Sequence, residues 1–499
     1  MPPLLKPPPT GRLKELASTI PPAWIAFFAS LFLSAIAILG TGEPNRDGML
    51  YIEIAKLFNE SGFAAAKANF DWVFFPILIA STSKITGLGY ETAAYLFNAL
   101  LLAGVCATLV RITEEFDQRA AWSACLVALA LPAINHYRDF LIREFGFWLF
   151  CLSAILFALR WAKRPTWVGG LIVQACLGAA SLFRVEAAAF FVALALWQIL
   201  DTRSWRQRLR RVSMLVWLPF FGGVLVVALM AAGGVDLGER ISIYAAAANP
   251  VALTAKFKLA ANQFADAILS HYSKEEAASI LFFGLISMIP KKFLEMSGVF
   301  IIPQIYFFWS DSPRRKIAGW QPLGWFFAVY CIVLTAFLMT SLFLSARYVA
   351  FLAILTVPLI AVGLNELASR LPRWRYAIVG FVLLLALANV VSLSPRNTQY
   401  RQAGQWVAAN SLSEWTTYID DSSTGYYAGP AHYWENRSRV GLSVEQAVAK
   451  RQFEYYVFEL SRRDAQKADW IASLNLDEVR RFKNTRGDAV LILKRKEDQ

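Results

Sequence analysis

The sequence predicts a polytopic α-helical membrane protein, with about eleven transmembrane helices and a small C-terminal α/β domain. Three observations predict it. Residues of the set AVILMFWYC make up 57% of the 499 positions and charged residues only 17%, too little polar surface to cover a water-soluble body. Apolar runs of about twenty residues recur along the chain, the length that crosses a bilayer as helix. After about residue 393 the composition changes abruptly, and Gln, Asn, Arg, Asp and Tyr replace Leu and Phe.

The apolar runs lie near 22–40, 91–110, 119–135, 141–160, 166–183, 186–200, 212–232, 296–310, 320–343, 347–366 and 374–392. Residues 1–21 form a proline-rich segment with Lys6, Arg12 and Lys14 and no cleavable-signal pattern, so the first run is the anchor. Basic clusters orient the spans. Arg111 with Arg119, Arg160/Lys163/Arg164, Arg203 to Arg211, Arg314/Arg315/Lys316 and Arg370/Arg373/Arg375 face the cytoplasm together with the N-terminus. The stretch Trp72 to Ile85 would reach only about 21 Å as helix and is read as interfacial or re-entrant. Residues 278–310 are interrupted by Lys291, Lys292 and Glu295 and make one crossing plus a surface-lying stretch.

The chain is thus organised as a cytoplasmic segment 1–21, a transmembrane module 22–392 and a tail 393–499, with outer loops at 41–90 and 233–278. The tail reads as helix (QYRQAGQWVAAN), strand (WTTYID), strand (FEYYVFEL), helix (RDAQKADWIASL) and a closing strand after a Gly-Asp turn (GDAVLILKRK), a small α/β domain.

Several functions are disfavoured. The net charge of +13 falls in short clusters between apolar runs, which sets membrane orientation and does not point to a nucleic-acid partner. All five cysteines lie inside apolar runs and the three histidines are scattered, so neither a disulfide framework nor a metal site is predicted. The sequence carries no GxxxxGK[ST], GxSxG or HExxH motif. Mid-span acidic residues of the kind proton-coupled transporters use are lacking as well.

Charged residues close to a bilayer are costly and mark candidate sites. Asp47 follows the first span. Arg138, Asp139, Arg143 and Glu144 sit at the outer mouth between the third and fourth, Arg184 and Glu186 at the outer turn between the fifth and sixth, and Arg347 with Tyr348 opens the tenth. The topology places all of them at the outer face, a pattern that suits an anionic head group held next to a base. The blander reading makes the arginines interfacial anchors, Asp47 an ordinary loop aspartate, and Asp139 and Glu144 simple partners for the arginines.

With these residues in place, the chain resembles the glycosyltransferase-C superfamily, in the branch of protein O-mannosyltransferases and the bacterial lipid A aminoarabinose transferase. The family's D-E-A-x-Y-A-x-I-A-like motif stands here as Asp47-Gly48-Met49-Leu50-Tyr51-Ile52-Glu53-Ile54-Ala55. The amphipathic stretch that ends K-x-x-G runs from Phe75-Pro76 to Lys84-Ile85-Thr86-Gly87. The second acidic motif matches Arg138-Asp139-Phe140-Leu141-Ile142-Arg143-Glu144, and an arginine-aromatic pair heading a late span matches Arg347-Tyr348. The chain departs from the family at Phe75, where a basic residue usually precedes paired prolines, and at Arg184-Val185-Glu186, where Lys-Gly-Pro is common.

The resemblance implies an inverting transferase of the bacterial inner membrane, with its N-terminus cytoplasmic and its tail periplasmic. A sugar would pass from a polyprenyl-phosphate donor to an acceptor hydroxyl on a glycan, lipid or protein. Asp47 would be the general base, and Glu144 or Asp139 the second acidic residue on the acceptor side. Arg347, Arg184, Arg143 and Arg138, with Tyr348 and Lys84, would hold the donor phosphate. No cofactor is implied, although a divalent ion through Asp47 and Glu144 stays open. The alternatives are a flippase of lipid-linked sugars, which would show pseudo-symmetric halves, a lipid-linked glycan ligase, or a scaffold whose tail recruits a partner.

Overall fold

The structure, a computed structural model, describes residues 20–200, 203–231, 249–310, 320–391, 397–439, 442, 444–449 and 452–496. The predicted N-terminal segment up to residue 19, the Arg314/Arg315/Lys316 cluster and residues 233–248 of the second outer loop lie outside the described residues. The chain divides into two compact units. One comprises Met1–Ala35, Leu96–Arg138 and Arg143–Val390, the other Ile36–Tyr95, Asp139–Ile142 and Val391–Gln499.

The first unit is a helical bundle, and each predicted apolar run contributes to it as helix. Among the described residues of the chain, five helical stretches are long and apolar enough to cross a membrane: Pro22–Gly40, Tyr90–Phe116, Glu144–Lys163, His271–Trp309 and Gln321–Ser341. Ala346–Leu355 and Val357–Arg370 add a sixth if counted as one span, but they meet at a 54° bend. The sequence reading took 347–366 as one uninterrupted run. Pro358, at the second position of the lower helix, removes a backbone donor and clashes with the preceding turn, which breaks the run. Pro132 acts likewise in 119–135, where Leu131 is extended between Ala121–Ala130 and Pro132–Asn135.

The second unit joins the first predicted outer loop to the tail. Helix Arg46–Asn69, kinked at Gly62 (φ 82°), packs on helix Phe74–Thr86 through Tyr51, whose ring meets Phe75 at 5.1 Å and Phe70 at 5.8 Å. Helix Phe74–Thr86 stops at Gly87, which takes the left-handed conformation (φ 71°) that glycine adopts without steric cost. The tail is a four-stranded sheet in the order β1 (Thr417–Ile419), β2 (Tyr455–Leu460), β4 (Ala489–Arg495), β3 (Leu476–Lys483). β1 and β2 are parallel and the other pairs antiparallel, so helices must cross between β1 and β2. Alternation along β2 and β4 divides the core: Tyr456, Phe458, Leu491 and Leu493 pack on one face, Val457, Val490 and Ile492 on the other.

Helix Ser422–Ala428 fastens the tail to the loop. Arg46 Nε donates to Ser422 Oγ at 3.2 Å, and Lys56 Nζ lies 5.2 Å from the centre of the Tyr426 ring. Nearby, Arg401 Nη2 donates to Glu91 Oε1 at 3.2 Å and to the Tyr427 hydroxyl at 2.9 Å. The helix starts at buried Asp421, whose Oδ1 accepts from the Thr424 amide at 2.7 Å.

Burial pushes the Asp421 carboxyl up to about 7, against the lowering effect of that amide bond, while neighbouring Asp420 raises it further. A carboxyl whose folded-state pKa is raised stabilises the fold below its unfolded value and loses that contribution as pH climbs through the folded one. The thermal midpoint of this unit in the full-length protein is therefore expected to fall between pH 4 and 8. Asp421→Asn should flatten that slope while keeping the cap; an equally steep profile in the variant would assign the slope to other groups.

Candidate active site

The residues singled out in the sequence fall into two sets, one in each unit. In the first unit, four helix ends bring charges together. Glu144 begins helix Glu144–Lys163, Arg184 caps helix Trp167–Phe183, Glu186 lies in the short turn before Ala189–Ile199, and Arg347 and Tyr348 start Ala346–Leu355. An aromatic cluster one turn deeper holds these ends. Phe147 meets Phe351 at 4.9 Å, Phe190 stacks on Phe326 at 4.5 Å, and Tyr330 meets Phe351 edge-on at 5.3 Å. The Tyr330 hydroxyl donates to the Tyr348 carbonyl at 2.9 Å and so joins the deeper layer to the charged one.

Glu144 is buried and receives two guanidiniums on one oxygen. Arg184 Nη1 lies 2.7 Å from Glu144 Oε1, and Arg347 Nε lies 3.4 Å from the same atom. Arg184 also grips Glu186 with both ends of its fork, Nη2 to Oε1 at 2.6 Å and Nε to Oε2 at 3.4 Å. Both guanidiniums lie over the Tyr348 ring, Arg184 at 4.5 Å and Arg347 at 5.3 Å from its centre. Half-buried Arg143 immediately precedes Glu144, and its charge bears on Glu186. Arg143, Arg184 and Arg347 thus gather beside Glu144 and Glu186.

Arg138 is placed differently. It is buried, and it donates from Nε to Asn135 Oδ1 at 2.6 Å and from Nη1 to the Ser30 carbonyl, Ser30 Oγ and Ser34 Oγ at 3.0, 2.9 and 3.1 Å. These neutral partners tie the end of the short Pro132–Asn135 helix to helix Pro22–Gly40, so the guanidinium is used inside the bundle.

Close approach of the Glu144 and Arg184 helix ends depends on Gly146. A β-carbon there would lie 2.3 Å from the Phe183 ring, next to Arg184. Gly146→Ala is expected to cost about 1–3 kcal/mol through overpacking and to lengthen the Glu144–Arg184 contact. Thermal unfolding checks the first effect, and a variant as stable as the parent would show that Phe183 can yield.

In the second unit, Asp47 is half-buried in the first turn of helix Arg46–Asn69, where the helix dipole suits a carboxylate. Asn45, just before that helix, clamps the segment 139–142. Its Oδ1 accepts from the Leu141 amide at 2.8 Å and its Nδ2 donates to the Leu141 carbonyl at 3.4 Å. Asp139 Oδ2 accepts from Thr41 Oγ1 at 3.0 Å. Gly48 permits the approach, since a β-carbon would lie 2.8 Å from Leu141 Cβ. Gly48, directly after Asp47, is therefore a packing requirement. Lys84 is exposed at the C-terminal end of helix Phe74–Thr86.

Tyr330, Asn45 and Gly146 support the candidate site without any motif in the sequence to mark them, and Glu186 is marked there only as a neighbour of Arg184. A tyrosine within an apolar run was the available signal for Tyr330, because a buried hydroxyl needs a partner. Among the described residues no group of three or more His, Cys, Asp and Glu side chains is arranged to hold a metal. The first unit also contains an apolar cavity of about 450 Å³, whose lining includes Phe308, Trp325, Phe327, Leu355 and Leu359.

Comparison with known proteins agrees with the sequence resemblance. A family model, dolichyl-phosphate-mannose-protein mannosyltransferase, matches residues 73–230, less than half of the chain. The Archaeoglobus fulgidus oligosaccharyltransferase, in complex with Zn and sulfate, aligns with TM-score 0.51 and 14% identity over 93% of this chain and 72% of that one. The same enzyme, tethered through a disulfide bond to an acceptor peptide containing the NVT sequon, gives TM-score 0.51 and 14% identity over 95% and 74%. ArnT from Cupriavidus metallidurans, in the apo state, gives 0.48 and 13% over 97% and 98%. A search of curated proteins returns no match. The chain is similar to membrane-embedded glycosyltransferases of the C class in its family signature, and it shares the fold of the oligosaccharyltransferase.

Proposed function

We propose that this protein is an inverting glycosyltransferase that moves a sugar from a polyprenyl-phosphate carrier to an acceptor hydroxyl at the outer face of a bacterial inner membrane. The observation that carries the reading is the arginine cluster on Glu144, where guanidiniums from separate helix ends converge at the ends of membrane helices. A donor phosphodiester carries one negative charge and its lipid-phosphate leaving group carries more, so such a cluster stabilises the departing group more than the bound donor. The apolar cavity supports a lipid carrier. Arg347 and Leu355 belong to one helix, about 12 Å apart along its axis, so a phosphate at Arg347 can send its chain toward the cavity that Leu355 lines.

In this reading Asp47 takes the proton of the acceptor hydroxyl as its oxygen attacks the anomeric carbon. The bond from that carbon to the phosphate oxygen breaks on the opposite face, and the lipid phosphate leaves with the electron pair. Arg347 and Tyr348 contact the phosphate, Arg143 and Arg184 add to the field, Glu144 holds the arginines, and Asp139 and Lys84 are further candidate contacts. Arg138 acts from inside the bundle. In this reading no metal takes part, the N-terminus is cytoplasmic and the tail is periplasmic. The test is incubation of the purified full-length protein with a panel of polyprenyl-phosphate sugars, following lipid-phosphate release with and without glycan, lipid and peptide acceptors. Release of lipid phosphate that depends on one donor and one acceptor is the expected result. Transbilayer movement of the intact donor without its cleavage would instead establish the carrier reading.

A further inference from the structure

The arginines of the first unit differ in what is asked of them. Arg184 spends all three of its nitrogens on carboxylates, one on Glu144 and two on Glu186. Its side chain is 11% exposed, whereas that of Arg347 is 26% exposed, with Nε 3.4 Å from Glu144 Oε1 and Nη2 donating to the Tyr348 hydroxyl at 3.4 Å. A guanidinium already engaged on both edges cannot offer a bidentate face to a phosphate without giving up a charge-assisted pair. We infer that Glu186 is a positioning residue: with Glu144 it holds Arg184 as a brace against the Tyr348 ring, so that Arg347, the more exposed guanidinium, meets the donor phosphate. The inference rests on the proposed lipid-phosphate donor. It gives Glu186 a role of its own, and it moves Arg184 from ligand contact to support.

Removing the carboxylate should release the brace. Arg184 can then turn toward the phosphate, and binding of a phosphorylated lipid becomes tighter while the arrangement for transfer is lost. The probe is undecaprenyl phosphate, titrated against the full-length protein in lipid nanodiscs. Glu186→Gln is expected to lower its Kd by about 3- to 10-fold, and the double variant R184Q/E186Q should lose that gain. Glu186→Asp keeps the charge but shortens the reach, so it should tighten binding by about twofold.

General damage to the site would weaken binding, so the sign of the change separates a brace from a merely structural residue. Weaker or unchanged binding in E186Q overturns the inference. So does tightening in E186Q with none in E186D, because the loss of a charge would then suffice without release of Arg184. Thermal unfolding identifies a variant that fails to fold, in which case E186D decides alone. Arg347→Ala judges the underlying reading separately: an unchanged Kd there removes the phosphate from Arg347, whatever Glu186 does.

Discussion

Asp47→Asn is expected to reduce turnover by about 10²–10⁴-fold, leaving the fold and the affinity for the lipid donor essentially unchanged. The substitution is nearly isosteric, so the first turn of helix Arg46–Asn69 and the Asn45 clamp on Leu141 persist. What disappears is the capacity to accept a proton. An interaction made only as the acceptor oxygen attacks lowers kcat and kcat/KM together, and that equality is the signature to look for. Asp139 is the carboxylate best able to substitute, since the Asn45–Leu141 clamp holds its segment against the start of the Asp47 helix, but its Oδ2 already accepts from Thr41. A D47N enzyme within tenfold of the parent would remove Asp47 from the base role, and D139N should then be the deleterious change.

Much of the bundle was legible because burial in lipid leaves a coarse trace. Each long apolar run became helix, and the abrupt loss of Leu and Phe marked the tail. Features set by single prolines were not read. Pro358 and Pro132 break runs whose hydropathy is uninterrupted, since hydropathy does not register a missing backbone donor. In the tail, β1, β2, β4 and two helices were foreseen, whereas β3 was not. It is an edge strand exposed along most of its length, so LDEVRRFK has no apolar alternation to show.

The candidate site divides in the same way. The charged residues announced themselves by standing near a bilayer. Their pairing did not, because it depends on contacts between helix ends far apart in sequence. Nothing in FRVEA says that Glu186 grips Arg184 on one side while Glu144 takes the other. Arg138 shows the converse: its position at a span end gave it the same signal as Arg143, but Ser30, Ser34 and Asn135 draw it into the bundle. The glycines were equally silent. Gly48 and Gly146 matter for the side chains they make room for, Leu141 and Phe183, and neither neighbour is local in sequence.

Arg347→Ala should weaken lipid-phosphate binding by about 10- to 100-fold and lower kcat/KM by about 10²–10³-fold, the range typical of losing a charged donor aimed at a leaving group. The fold should tolerate the change, because Glu144 keeps its shorter bond to Arg184 at 2.7 Å and is not left as an uncompensated buried charge. Arg347→Lys separates charge from geometry. A lysine restores the positive charge but not the planar fork, so it should recover much of the binding and less of kcat/KM. Charge that acts mainly by steering would instead make the lysine variant equal to the parent and leave a strong salt dependence in both. The same pair of variants addresses the anchor reading. An arginine that only snorkels to the membrane surface contributes through its stem, so the alanine variant would then lose thermal stability and keep its affinity for lipid phosphate, the reverse of the result expected here.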